Sequence, residues 1–137
     1  MDASIEKLLI EFRPILAADY TAVRQFLSAA GWQQRVADAQ KFAKMIEHTS
    51  RTMVALEGAR VVGFARGVCD ETSNGYISMV AVAEDMRGQG IGRELVERLI
   101  GNDTSITWVL RAGYGSEQFW EKVGFKRSDV AMERVRS

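Results

Sequence analysis

The clearest change of hydrophobic pattern lies within residues 76–101. Its first part, residues 76–82, is apolar on both alternating faces, which is typical of a strand in the middle of a sheet. A glycine-rich turn follows at residues 87–92. Apolar side chains then recur at helical spacing opposite charged ones, at Ile91, Leu95, Val96, Leu99 and Ile100. The pattern predicts a strand, a glycine turn and a helix, in that order.

The chain before this stretch predicts one strand and two consecutive helices. The strand covers residues 8–15, and Pro14 near its end favours the margin of the sheet. The first helix has Asp19 as its N-cap and ends at Gly31. The second helix carries apolar side chains at helical spacing, at Val36, Ala39, Phe42, Ala43 and Ile46.

The remaining segments predict further strands and one short helix. A hairpin joins strands at 52–57 and 60–69, and the turn at 70–75 leads into the strand at 76–82. After the glycine-turn helix we expect a strand at 106–110, a helix capped by Ser116 and ended by Gly124, and a closing strand at 125–135. The strand–helix–strand order around residues 76–110 predicts a parallel pair there.

Together these elements predict one α+β domain over residues 1–137, with a mixed, mostly antiparallel central sheet and helices on both faces. A chain of 137 residues is long enough to bury a single core. The 18 basic and 18 acidic residues balance, so the chain lacks the basic excess typical of nucleic-acid-binding proteins.

The sequence also limits metal chemistry, membrane insertion and secretion. One Cys and one His cannot form a Cys/His zinc cluster, and a single Cys cannot form an internal disulfide, which suits a reducing compartment. No apolar stretch approaches the roughly 20 residues that span a bilayer, and the N-terminus lacks a signal-peptide pattern. We therefore predict a cytoplasmic protein with no metal, no membrane role and no nucleic-acid partner.

The glycine turn has the composition of a phosphate-binding site. A helix N-terminus presents backbone N–H groups without intrahelical partners, and glycines let an anion approach them. Arg87 and Arg93 add positive charge. A P-loop is excluded because Gly92 is followed by Arg93 and Glu94, and the dinucleotide fingerprint lacks its third glycine. The alternative is a plain strand-to-helix turn in which glycine supplies only a positive φ.

Residues 87–92, with the sequence RGQGIG, resemble the acyl-CoA-binding motif of the GNAT superfamily of N-acetyltransferases. Residues 119–127, FWEKVGFKR, resemble a late segment of the same family. The resemblance implies the GNAT fold, acetyl-CoA as co-substrate, and a fourth strand that splays from the fifth to pair with the pantetheine arm. The cofactor-binding residues that it implies are Val80, Ala81, Val82, Arg87, Gly88, Gln89, Gly90, Ile91, Gly92, Arg93 and Trp120.

The sequence departs from the family pattern at the general acid. Many members have a Tyr where this chain has Trp120, and an indole N–H is no useful proton donor. Tyr114 is the candidate catalytic residue that could supply a hydroxyl instead, the alternative being a loop tyrosine without a catalytic role. Candidate bases are Asp70, Glu71 and Glu84 at strand ends, although most such charges are solvated.

The resemblance implies direct transfer of an acetyl group from acetyl-CoA to a primary amine of a small molecule or peptide. The alternative is an acyl-CoA-binding or sensor domain without turnover, for which Trp120 is the support. Acetyl-CoA and an amine substrate are the expected partners, and a homodimer stays open.

Overall fold

The computed structural model describes residues 9–137, which form a five-stranded sheet in the order β1-β2-β3-β4-β5. The strands are β1 (Ile10–Arg13), β2 (Arg51–Glu57), β3 (Arg60–Cys69), β4 (Asn74–Val82) and β5 (Thr107–Leu110). The helices are α1 (Tyr20–Leu27), α2 (Gln33–Val36), α3 (Ala39–Glu47), α4 (Ile91–Ile100) and α5 (Glu117–Lys122). Short helical turns lie at Ala17–Asp19, Ser28–Trp32 and Glu84–Met86.

Strands β1 to β4 pair antiparallel with their neighbours, whereas β4 and β5 pair parallel. The predicted mixed, mostly antiparallel sheet and its parallel pair are therefore confirmed. β1 lies at one edge, as Pro14 suggested, although Leu8 of the predicted strand lies outside the described residues.

The helices cover both faces of the sheet, as predicted. Helices α1 to α3 bury Val23, Leu27, Val36, Phe42 and Ile46 against one face. Helix α4 buries Ile91, Leu95, Val96 and Leu99 against the other face, where the aromatic side chains of α5 join them. No helix among residues 9–137 is long and apolar enough to cross a membrane.

Two predicted features of the first half need correction. Asp19 stands at the N-cap position of α1 but its side chain makes no capping hydrogen bond there. Its carboxylate instead accepts hydrogen bonds from Arg13 at 2.6 and 3.0 Å and from the Leu16 N–H at 2.7 Å. The second predicted helix is divided into α2 and α3, because Asp38 caps α3 through the N–H groups of residues 40 and 41.

The predicted closing strand at residues 125–135 is wrong. This segment has no regular secondary structure and makes no ladder with β5. Apolar side chains at Val130 and Met132 are exposed instead of packing on a sheet face. The Glu133 carboxylate holds the segment near the end of β5 through a 2.8 Å ion pair with Arg111. An apolar pattern predicts a strand only where a partner edge completes its backbone hydrogen bonds.

Candidate active site

Strands β4 and β5 separate halfway along β4. Their parallel pairing runs from Asn74 opposite Thr107 to Ile77 opposite Leu110, and β4 then continues to Val82 paired with β3 alone. At the end of β4 the Ala83 N–H donates to the Val62 carbonyl on the β3 side. Because successive N–H groups of a strand point to opposite edges, the N–H groups of Val82 and Val80 face the side that β5 has left.

A β-bulge lies at the point of separation. The register between β3 and β4 shifts between the pairs Arg66–Ser78 and Phe64–Ala81, so β4 contains the extra residue. Met79, at the bulge, has a φ of 61° while only 2% of its surface is exposed. A left-handed non-glycine residue costs about 1 to 3 kcal/mol, and such strain is found where the surrounding packing fixes an unusual backbone. The bulge re-aims the free part of β4 away from β5.

The separation opens a cleft of about 440 Å³, a size typical of small-molecule sites. Its walls come from β4, from the chain after β5, from α5, and from the segment that joins α1 to α2. The lining residues are Trp32, Arg35, 76–80, 110–113, Ser116, Phe119 and Trp120.

Trp120 is half-buried and forms one wall of this cleft. Its ring packs edge-on against Phe119 at 5.0 Å and Phe125 at 5.4 Å between centroids. Such edge-to-face contacts fix the ring orientation. The indole therefore meets the core on one side and the cleft on the other.

The glycine turn lies between β4 and α4. Gly88 and Gly90 have φ values of 80° and 84°, and an added Cβ at either would meet no atom within 4 Å. Within the described chain, the backbone N–H groups of residues 88–93 have no hydrogen-bond acceptor. The open loop lies at the positive end of the α4 dipole, where a bound anion would be stabilised.

Gly92 has a different structural role from Gly88 and Gly90. A Cβ on Gly92 would lie 3.1 Å from a Phe119 ring carbon and 3.4 Å from a Val82 methyl carbon. The missing side chain lets α4 pack closely on α5. Of the two arginines, Arg87 donates weakly to the Val82 carbonyl at 3.4 Å, whereas Arg93 is paired with Glu97 at 2.7 Å.

The structure places Tyr114 with its side chain fully exposed, and Tyr114 does not line the cleft. Its hydroxyl thus has no contact with the site in this conformation. Tyr76, a position that the sequence did not single out, does line the cleft.

The three candidate bases lie outside this cleft. Asp70 and Glu71 stand at the far end of β4, where the Ser73 hydroxyl and turn N–H groups lower the pKa of Asp70. A hydrogen bond from Arg51 likewise lowers the pKa of Glu71. A lowered pKa makes a carboxylate a weaker base. Glu84 lines a separate cavity of about 620 Å³ between α1 and the ends of β3 and β4.

Sequence reasoning missed Trp32, Arg35, Tyr76 and Arg111 as lining residues. These residues come from different parts of the chain, and the fold brings them together. A weak signal was available for the neighbouring Arg66, which is a charged residue within the apolar strand β3.

Comparison with known proteins identifies the fold family. A family model described as "Acetyltransferase (GNAT) domain" matches residues 16–135. A Trypanosoma brucei acetyltransferase structure is similar with a TM-score of 0.73 and 22% identity, over 93% of this chain and 99% of that chain. The structure of a Xanthomonas campestris protein assigned to the GNAT family is similar with a TM-score of 0.78 and 18% identity, over 93% of each chain. The structure of glucosamine-6-phosphate N-acetyltransferase from Arabidopsis thaliana is similar with a TM-score of 0.65 and 14% identity, over 93% of this chain and 99% of that chain.

Among curated proteins, no sequence matches this chain significantly. The family match nevertheless covers most of the sequence and includes both the glycine turn and the 119–127 segment. The chain therefore belongs to the GNAT acetyltransferase family.

Proposed function

We propose that this protein transfers the acetyl group of acetyl-CoA directly to a primary amine of a small molecule or peptide. The observation that carries the proposal is the separation of β4 from β5 after Ile77 and Leu110, next to the open glycine loop. A free strand edge, a helix N-terminus and a cleft are thus aligned along one path.

The residues on this path fit an extended thioester with a pyrophosphate. The N–H groups of residues 88–93 would hold the pyrophosphate, with Arg87 beside them. Val80, Ala81 and Val82 would hold the pantetheine arm, since an amide-containing chain can pair with a free strand edge as an added strand does. Trp120 would then bound the acyl end of the cleft.

When bound, acetyl-CoA supplies the acetyl group: a bond forms between the amine nitrogen and the carbonyl carbon, the carbon–sulfur bond breaks, and the thiolate takes up the proton that the amine loses. The chain contributes mainly by holding the amine beside the thioester, which can be worth roughly 7 to 11 kcal/mol. Tyr76 and Tyr114 are the two tyrosine candidates for proton donation, and only Tyr76 lines the cleft.

Trp120 supports a second candidate function, an acyl-CoA sensor without turnover. The indole occupies a wall of the cleft and cannot act as a general acid. Both candidates predict acetyl-CoA binding, so affinity alone does not distinguish them.

The deciding experiment measures CoA release from acetyl-CoA with a panel of primary amines, and identifies the product by mass spectrometry. We expect stoichiometric CoA release and an amine that has gained one acetyl group. Binding of acetyl-CoA without any amine-dependent release above the enzyme-free rate would favour the sensor. Absence of acetyl-CoA binding would contradict both candidates.

A further inference from the structure

The cleft between β4 and β5 has a one-sided charge. Its lining contains Arg35 and Arg111, and no Asp, Glu or His occurs among the described residues that form it. A protonated amine alone is therefore repelled by its surroundings, because like charges at short range raise the free energy of binding. An acceptor for this cleft needs a group that the cations attract.

Arg66 adds a third positive charge just behind the wall. It lies on β3 directly opposite Ser78, which lines the cleft. Its Nη1 donates to the Thr49 hydroxyl at 3.3 Å, whereas its buried Nε has no hydrogen-bond partner within the described residues. Burial, and then the charge of Arg35, lower the pKa of Arg66.

Seven of the 13 arginines have a carboxylate partner within residues 9–137. Arginines elsewhere in residues 9–137 commonly have a carboxylate partner, as in the pairs Arg13–Asp19, Arg51–Glu71, Arg60–Asp85, Arg93–Glu97, Arg98–Glu94 and Arg127–Glu117. Across the described chain, no carboxylate lies within ion-pair distance of Arg35 or Arg66. Of these two, Arg66 is half-buried whereas Arg35 is exposed, so the missing counter-ion costs folding free energy at Arg66. A ligand anion beside Arg66 would supply that charge.

The rim of the cleft already holds one carboxylate. Glu133 of the C-terminal segment pairs with Arg111 at 2.8 Å, and both side chains are more than half exposed. An exposed pair contributes little to stability and can exchange partners. Arg35, which is exposed at the cleft, and the half-buried Arg66 remain without a carboxylate partner within residues 9–137.

We propose that the acceptor is a primary amine that also carries an anionic group, a carboxylate or a phosphate, which Arg35 and Arg66 bind. This inference rests on the proposed acetyl transfer and specifies its substrate class. Guanidinium groups suit both anions, since their planar N–H donors match two oxygens at once. The anion at these arginines directs the amine end of the acceptor into the remaining space of the cleft.

Four small amines of similar length test the inference. β-Alanine carries a carboxylate, O-phosphoethanolamine a phosphate, ethanolamine no second charge, and ethylenediamine a second cation. Their binding is measured by calorimetry in the presence of CoA, so that the glycine loop is filled and its N–H groups cannot bind the added anions. We expect one or both anionic amines to bind at least tenfold more tightly than ethanolamine, and ethylenediamine to bind most weakly.

Two variants test whether Arg35 and Arg66 cause the effect. Arg35→Gln and Arg66→Met should each weaken binding of the anionic amine by roughly tenfold to a hundredfold, the usual effect of losing a charge-assisted hydrogen bond. Arg98→Gln, which removes the same charge from the outer surface of α4, is the matched control and should leave binding unchanged. Arg66→Met should also keep or raise the thermal midpoint, because an apolar side chain of similar size replaces an unpaired cation. A purely structural role for Arg66 predicts a lower midpoint instead.

Equal binding of ethanolamine and the anionic amines would overturn the inference. Failure of both anionic amines to bind would overturn it too, and so would a loss of binding in Arg98→Gln equal to that in the Arg35 and Arg66 variants. CoA release measured in parallel tests the proposed function separately. Arginine-dependent binding of anionic amines without any CoA release would contradict acetyl transfer and leave the anion preference standing. Rapid acetylation of ethanolamine with no preference for anions would support acetyl transfer and contradict the anion preference.

Discussion

Gly90 offers the sharpest test of the phosphate-binding loop. Its φ of 84° lies in the left-handed region, which Asn and Asp tolerate better than other side chains. A Cβ at this position would meet no atom within 4 Å, so both side chains fit the protein without a clash. Gly90→Asn and Gly90→Asp therefore have nearly the same shape and backbone cost, and differ mainly by one negative charge.

The charge should have a large effect because Gly90 is the N-cap residue of α4, next to the N–H groups that begin the helix. A pyrophosphate on the N–H groups of residues 91–93 would lie about 5 Å from a carboxylate at position 90. Each of its two negative charges would then repel the carboxylate by about 0.8 kcal/mol even at the dielectric constant of water, or about 1.7 kcal/mol in all. This free energy corresponds to a roughly 15-fold difference in Kd, and weaker screening would increase it. Calorimetric titration with acetyl-CoA at low ionic strength measures the difference.

We expect the Asp variant to bind acetyl-CoA at least roughly 15-fold more weakly than the Asn variant, with the ratio falling as salt is added. Gly58 gives a matched control, since it also has a positive φ and open space but lies in the β2–β3 turn. Gly58→Asn and Gly58→Asp should have the same affinity for acetyl-CoA. Equal affinities of folded Gly90→Asn and Gly90→Asp would refute phosphate binding at this loop.

Four further substitutions test the cleft and one ion pair. Trp120→Tyr should fold with a loss of about 1 to 3 kcal/mol in unfolding free energy. It should keep or raise kcat, with a changed pH profile above neutrality, because it restores a phenol. A folded variant that binds acetyl-CoA but shows neither turnover nor a pH change would contradict the acid position. Tyr114→Phe should leave kcat within about twofold because the Tyr114 hydroxyl is exposed. Tyr76→Phe should reduce kcat by about 100-fold if Tyr76 donates the proton. A larger loss of kcat in Tyr114→Phe than in Tyr76→Phe would restore Tyr114 as the acid. Hydrogen bonds from Arg13 lower the pKa of Asp19, so the carboxylate stabilises the fold at neutral pH and this contribution is lost as pH falls through the lowered pKa. Asp19→Asn should therefore reduce the unfolding free energy by about 1 to 2 kcal/mol at pH 7 and by less in acid, and a pH-independent loss in denaturant titrations would show that charge is not the cause.

The sequence predicted most of the fold because the sheet and its two helical layers rest on local periodicity. The strand at 76–82 and the helix at 91–100 carry enough apolar side chains to identify both elements without tertiary information. The segment at 125–135 has apolar residues too, but whether it becomes a strand depends on an edge that no local pattern specifies.

The site was predictable where it is contiguous in sequence. The loop at 87–92 and Trp120 lie in recognisable segments, although the pattern did not distinguish the positive φ of Gly88 and Gly90 from the packing role of Gly92. The bulge at Met79 was not predictable, because nothing in its side chain favours a left-handed backbone. The cationic lining depends on tertiary contacts between α2, β3 and β5, so only the structure shows it.

In the proposed function, acetyl-CoA binds along the edge of β4 that β5 has left, with its phosphates on the adjacent glycine loop. Amide hydrogen exchange followed by NMR, with and without acetyl-CoA, tests this most directly. We expect slower exchange at Val80, at Val82 and at residues 88–93, and unchanged exchange in β1 and in the β2–β3 turn. Saturation with acetyl-CoA that leaves the amides of Val80, Val82 and the loop unchanged would contradict the claim.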